Sequence, residues 1–444
     1  CNAKSMETGQ EDGCFMREME FSYLLKQRID RHAVAVRLGA CALFSSAAFT
    51  LLPKGFAIFG AFLIACTFLV PERFIAAWRE HRRVLSWITG MCAAVILLAV
   101  TSMQLTGREW QVLDKYARFL LMPWCALLAC ALSPPRVWLW AGALLGVSIA
   151  FAVALTEDAS GVARVGGWHN SIVFANAVLA LLVITVYCRP EGQRPWIYLS
   201  IAVALVLGVV TIVLSGTRGA MPGFGLMLLV AVVGGGSGRR RWYRAGGMLA
   251  FMLFVLLLMW TVPWLASQTR LDGIQTDLQR YAQGHVDSPV GARLQFLSLA
   301  WQAFLDHPLT GVGLDNFAPQ VKLLPQCVRD LGICQLGHAH NDIAQWSATL
   351  GVPGLLAIIS IYLVPFVLFV RLIRSDDRKP ANGAAWAGVM LVLVFLLSGM
   401  TQSMFSHALT TMTYVIFIGL LLGLALRESA DGSPNLHESS KGTG

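Results

Sequence analysis

Residues 196–214 read WIYLSIAVALVLGVVTIVL, with no charged side chain among them. A hydrocarbon core about 30 Å thick is crossed by about 20 apolar residues in a helix, because lipid offers backbone N–H and C=O groups no partner outside the segment itself. The stretch therefore reads as a membrane-spanning helix. The same apolar density recurs before it at 36–52, 55–70, 84–101, 117–132, 137–155 and 171–188. It recurs after it at 220–233, 246–265, 350–373, 384–404 and 409–426, where 220–233 is short and holds Pro222. The expected fold is an all-α integral membrane protein of about twelve transmembrane helices. Composition agrees. Of 444 residues, 56% are hydrophobic and 13% charged, about half the charged share of a soluble globular chain.

Working outward, residues 1–35 form an N-terminal segment and 36–265 hold spans one to nine. Residues 266–349 form one large polar loop, 350–426 hold spans ten to twelve, and 427–444 form a tail. The first 31 residues are polar and mixed in charge, with no apolar core leading to a small-residue cleavage site. The first apolar segment is therefore expected to stay as an anchor. The formal net charge is +9, and its distribution sets the orientation. Arg73, Arg79, Arg82 and Arg83 lie between spans two and three. Arg239, Arg240, Arg241 and Arg244 lie between eight and nine, and Arg371, Arg374, Arg378 and Lys379 at the end of span ten. With alternating spans all three groups share a side, and short basic loops stay cytoplasmic. Both termini are then cytoplasmic and the loop 266–349 lies outside, with Trp260 and Trp264 in the outer aromatic belt. No long basic run interleaved with aromatics supports a nucleic-acid partner, whereas membrane lipids are expected ones. Channels and transporters carry ionisable residues inside their spans. These spans are almost charge-free, and polar residues gather at their outer ends, which favours chemistry at the outer leaflet.

Three such polar groups stand out. Ser215-Gly216-Thr217-Arg218-Gly219 follows the span at 196–214 directly. The planar fork of Arg218 suits a phosphate, and an arginine snorkelling to lipid headgroups occupies the same place. In the large loop, Asp287-Ser288-Pro289 is a helix start, with a capping side chain and proline at the first helical position. Val290, Leu294, Leu297, Trp301 and Phe304 follow at three- and four-residue spacing, which predicts an amphipathic helix packed by that stripe on the membrane domain. Arg293 lies at the edge of the stripe, near a helix N-terminus where a cation is disfavoured. It is either solvated or matched by an anion. The third group, His338-Ala339-His340-Asn341-Asp342, directly precedes span ten. A helix N-terminus disfavours imidazolium, and a neutral imidazole near pH 7 is what a general base requires. A His-x-His pair also binds metals, but no third ligand has matching spacing.

These residues carry a resemblance. His340-Asn341, nine further residues and then Gly351-Val352-Pro353-Gly354 resemble the signature of the O-antigen ligase and polymerase superfamily. Arg293, Trp301 and Phe304, followed by His307-Pro308-Leu309-Thr310-Gly311-Val312-Gly313 and Asn316-Phe317, resemble the segment before it. Ser215-Gly216-Thr217-Arg218-Gly219 is similar to the Ser-x-Thr/Ser-Arg-Gly/Ala motif. The resemblance implies a GT-C-like, metal-independent glycosyltransferase of the bacterial inner membrane, its active site facing the periplasm and needing no cofactor. Its donor would be a glycan on undecaprenyl pyrophosphate, and in the ligase branch its acceptor is the lipid A-core. A polymerase with a lipid-linked acceptor and a protein O-oligosaccharyltransferase are the other branches, and some relatives have been called transporters. His340 is implied as the base, and Arg218 and Arg293 as ligands of the pyrophosphate. Arg164, in Arg164-Val165-Gly166-Gly167-Trp168-His169-Asn170, is a weaker match to a family arginine. His338 and Asn341 join them as substrate-binding candidates. One base and no clearly placed carboxylate pair imply inversion by direct displacement.

Most cysteines, among them Cys41, Cys66, Cys92, Cys125 and Cys130, sit in apolar runs as small hydrophobes. Cys327 and Cys334 instead flank residues 328–333 in the outer loop. In an oxidising compartment they are expected to form a disulfide, and two packed free thiols are the other reading.

Overall fold

The structure is a computed structural model. It describes residues 31–162, 164–192, 194–233, 246–247, 249–250, 253, 257, 261, 273–283, 288–324, 327, 334, 336–374 and 382–431. Every regular element among them is helical. In chain order these are α1 (31–48), α2 (Gly55–Leu69), α3 (Pro71–Thr106), α4 (Leu121–Leu132), α5 (Val137–Ala159), α6 (Ser171–Tyr187), α7 (Pro195–Leu214) and α8 (Met221–Val233). Then follow α9 (Gly273–Ala282), α10 (Pro289–Asp306), α11 (Phe317–Lys322), α12 (Asp342–Arg374), α13 (Gly383–Gly399) and α14 (Ala408–Asp431). Six helical stretches are long and apolar enough to cross a membrane: Pro71–Thr106, Trp110–Leu132, Val137–Ala159, Pro195–Leu214, Asp342–Arg374 and Ala408–Ala430. Gly55–Leu69, Ser171–Tyr187, Arg218–Val232 and Gly383–Gly399 are shorter apolar helices. Most of the expected ninth span at 246–265, Trp260 and Trp264 included, lies outside the described residues. The basic residues 239–244, Arg378, Lys379 and both chain ends lie outside them too.

Two expected boundaries move. The connector carrying Arg73, Arg79, Arg82 and Arg83 is not a loop but the first half of α3, which bends at His81 (φ −106°, ψ 20°). A helix of that length is about 54 Å long, well beyond the hydrocarbon thickness, so its arginine-bearing turns need not lie in lipid. The tenth span begins at Asp342 rather than at 350, because the Asn341 side chain accepts from the Ala344 N–H and caps the helix there.

The centre of the bundle is made by helices that are apolar on every side. In α6 all but two residues are buried, and 94% of the apolar window of α14 is buried, as expected where no face is polar. Close approach of α14 to α4 comes from Gly419 and Gly423, where a Cβ would lie 2.3 Å from the Met122 carbonyl oxygen and 2.4 Å from that of Ala126. Small residues four apart permit such contact. At one end of the bundle ion pairs collect: Arg136 with Glu428 (2.7 Å) and Glu191 (3.3 Å), and Arg427 with Glu80 (3.7 Å). The three polar sequence groups meet at the opposite end.

A backbone joint orders that end. Within α12, Gly351 adopts φ 66° and ψ −152°, and Pro353 has no N–H for the Thr349 carbonyl that a regular helix would pair with it. The Gly313 N–H fills that carbonyl at 2.9 Å, and the Val312 N–H fills that of Ala348 at 2.9 Å. In return the Val352 N–H donates to the Pro308 carbonyl at 2.7 Å. Side chains are excluded where the two segments touch. A Cβ on Gly311 would lie 2.2 Å from the Thr349 carbonyl carbon, and one on Gly351 2.5 Å from the Pro308 oxygen. The glycine motifs before and after His340 are thus the two halves of one contact.

Candidate functional site

The turn from α7 to α8 carries Arg218 and is held from two sides. The Thr217 hydroxyl donates to the Ser171 carbonyl at 3.2 Å. At Gly219 a Cβ would lie 2.5 Å from the Thr401 hydroxyl, so only glycine lets the segment between α13 and α14 come this close. Arg164 reaches the same turn, its Nε donating to the Ser215 carbonyl at 3.3 Å. The loop bearing Arg164 is fastened by Glu157, whose carboxylate accepts from the Gly166 and Gly167 N–H groups at 2.8 and 2.9 Å.

Arg293 comes from the other direction, on α10. Ser288 caps this helix by accepting from the Gly291 N–H at 3.0 Å, with Pro289 at its first position. The face turned to the protein is not the expected stripe. Ala292, Phe296, Ala300 and Ala303 are buried, whereas Leu294, Leu297 and Trp301 are exposed and Val290 and Phe304 only half-buried. The small alanines let α10 sit close to the segment before α12, which a row of leucines would hold away. Phe296 stacks on the His340 ring at 6.2 Å between centroids, and Arg293 lies one turn earlier. Burial lowers the Arg293 guanidinium pKa, and the like charge of Arg218 lowers it further. Two half-buried arginines whose like charges act on each other offer the donors and charge that an anion could use.

His340 has φ 51°, a left-handed conformation that histidine tolerates better than most residues. Its Nδ1 lies 2.5 Å from the amide oxygen of Gln402, and the Gln402 amide nitrogen lies 2.8 Å from His407 Nε2 and 3.4 Å from His338 Nε2. The His338 ring centroid is 4.4 Å from that of His340 and 5.0 Å from that of His407. Burial pushes His340 down to about 4, opposed by the Gln402 hydrogen bond and reinforced by the Arg293 charge. Burial takes His407 to about 4, with His340 and Lys115 adding to it. Burial takes His338 to about 3, with His340, His407 and Lys115 adding to it. All three imidazoles are neutral at pH 7.

The structure thus brings Arg164, Arg218, Arg293, His338 and His340 to one end of the bundle. Asn341 is there too, but its groups are spent within the protein. Its amide donates to the Met400 carbonyl at 3.1 Å, and its backbone N–H to the Ser403 hydroxyl at 3.2 Å. Asp342 is fully buried and accepts from the Tyr362 hydroxyl (2.7 Å) and the Phe405 N–H (3.2 Å). Sequence reasoning missed Gln402, His407 and Lys115. The signal for the first two was polar residues at the junction of the last two apolar runs. Cys327 and Cys334 are bonded, with Cα atoms 5.6 Å apart, and residues 328–333 between them lie outside the described residues. Among the described residues no three His, Cys, Asp or Glu side chains are grouped to hold a metal ion.

Residues 203–359 match a family model described as O-Antigen ligase. The match covers roughly a third of the chain and includes Arg218, Arg293, His338 and His340. No curated protein matches the chain. The apolar helices and the family match together fit a multi-pass bacterial membrane protein.

Proposed function

From membership of the O-antigen ligase/polymerase superfamily, which the match over 203–359 supports, we propose that this chain is an inverting, metal-independent O-antigen ligase with a GT-C-like architecture. It has about twelve spans, cytoplasmic termini and an active site at the periplasmic face of the inner membrane. It moves a glycan from undecaprenyl pyrophosphate to lipid A-core. The observation that carries the reading is the convergence on one site of two mutually repelling arginines and a neutral histidine: Arg218 acts on Arg293, and Arg293 on His340. The acceptor hydroxyl attacks the anomeric carbon while His340 takes its proton. The bond to the pyrophosphate breaks with inversion, and the charge growing on the leaving group falls to Arg218 and Arg293, with Arg164 beside the turn that carries Arg218. General-base assistance contributes about 10²–10⁴-fold, and cations preorganised where charge develops stabilise the transition state.

The deciding experiment supplies purified protein with a lipid-linked glycan and either lipid A-core or a second lipid-linked glycan. Glycosylated lipid A-core is the expected product. Elongated lipid-linked glycan alone would make the chain a polymerase instead. Full activity is expected in excess EDTA, and loss restored by Mg²⁺ refutes the metal-free mechanism.

A further inference from the structure

We propose that Gln402 is a positioning residue that holds His340 as the tautomer protonated at Nδ1, so that its Nε2 lone pair takes the proton. The catalytic use of this contact rests on the reading of His340 as base. Gln402 is 0% exposed, and among the described residues the hydrogen-bond partners of its side-chain amide are three ring nitrogens. An amide offers two N–H donors on one side and only acceptor lone pairs on the other. With the oxygen facing His340, both N–H groups are used, one on His407 Nε2 and one on His338 Nε2, and the oxygen accepts from His340. Turning the amide over would leave one N–H buried without a partner, which costs about 1–3 kcal/mol. The satisfied arrangement forces a proton onto His340 Nδ1, because an amide oxygen cannot donate. Nε2 is then unprotonated, and no described side chain is hydrogen-bonded to it. The left-handed backbone at His340 and the two bonds from Asn341 to Met400 and Ser403 keep the ring over Gln402.

The charged and titratable groups around His340 come from every packed element: Arg293 on α10, with Arg218 behind it; His338 on its own segment; His407 before α14; Lys115, whose charge reaches His338 and His407; and Asp342 at the start of α12. Gln402→Leu removes the acceptor for the Nδ1 proton. It should lower kcat ~10- to 100-fold, the size found when a partner that orients a metal-bound imidazole is removed, with KM for donor and acceptor nearly unchanged. Gln402→Glu restores an acceptor and adds a charge that favours imidazolium. It should recover part of kcat relative to Gln402→Leu and move the acid limb of the pH profile upward.

Wild-type kcat in Gln402→Leu, or equal loss in both variants with an unmoved acid limb, overturns the proposal. Nitrogen NMR of histidine-labelled wild-type protein, with His340→Ala to assign the signal, reads the tautomer even where a Gln402 variant does not fold. Protonation of His340 at Nδ1 is expected, and at Nε2 it overturns the proposal. Active His340→Ala protein overturns the base reading and with it the catalytic role of Gln402. Inactive His340→Ala beside fully active Gln402→Leu overturns the positioning role alone.

Discussion

A sugar hydroxyl yields its proton only to a base that is itself unprotonated, and burial holds His340 in that state. His340→Ala should abolish measurable transfer while leaving the fold and donor binding nearly intact, a loss of at least ~10²-fold. His338→Ala should be milder. Equal and complete loss from His338→Ala, with active His340→Ala protein, would reverse the assignment. The pH sign follows from which form works. The protonated imidazole is inactive, and its pKa is lowered from 6.5 to about 4. The rate should therefore stay level as pH falls from 7 through 6 and drop only on approach to 4, and an acid limb at the ordinary histidine value would refute this. Arg218→Ala and Arg293→Ala should each weaken binding of undecaprenyl pyrophosphate roughly 10- to 100-fold, since a hydrogen bond to a charged group contributes about 1.5–3 kcal/mol. Lysine should rescue poorly, lacking the planar fork. Wild-type affinity of both alanine variants, measured in detergent, would remove them from the donor site.

At the scale of elements, the joint between 308–313 and 348–352 decides where His340 stands, because α12 starts just after that residue and breaks at Gly351. Gly351→Ala puts a side chain at positive φ and drives its Cβ toward the Pro308 carbonyl. It should cost about 1–3 kcal/mol, read as a lowered Tm, and it should slow transfer. An unchanged Tm with a wild-type rate would show that the joint yields freely. This element also marks a limit of periodic reading. The spacing of Val290, Leu294, Leu297, Trp301 and Phe304 correctly marks a helix but not which face is buried. In a membrane protein an apolar stripe has two possible surroundings, protein and lipid, and periodicity does not separate them. The buried face is the one with Ala292, Phe296, Ala300 and Ala303, whose three alanines permit close contact.

For the whole molecule, the bridge between Cys327 and Cys334 lies in the segment leading to His338. A ring this short should stabilise the chain by less than the ~3 kcal/mol reckoned for a loop of 15 residues. The Cys327→Ser/Cys334→Ser double variant should therefore insert normally but transfer more slowly. Thiol labelling of unreduced, denatured protein checks the bridge, and full reactivity of both cysteines disproves it. By itself the sequence determined the helical membrane class, since runs such as 196–214 have no other stable form in lipid. It also determined which residue types could bind an anion or take a proton, because Arg218 and His340 are rare polar residues at the ends of apolar runs and Arg293 stands near the start of an amphipathic helix in the large loop. Only the tertiary structure decided that these residues meet, and that Gln402 and His407 meet them. Their positions run from 218 to 407 in the chain, and residues so distant share a site only through the packing of the helices between them. No local periodicity encodes that contact.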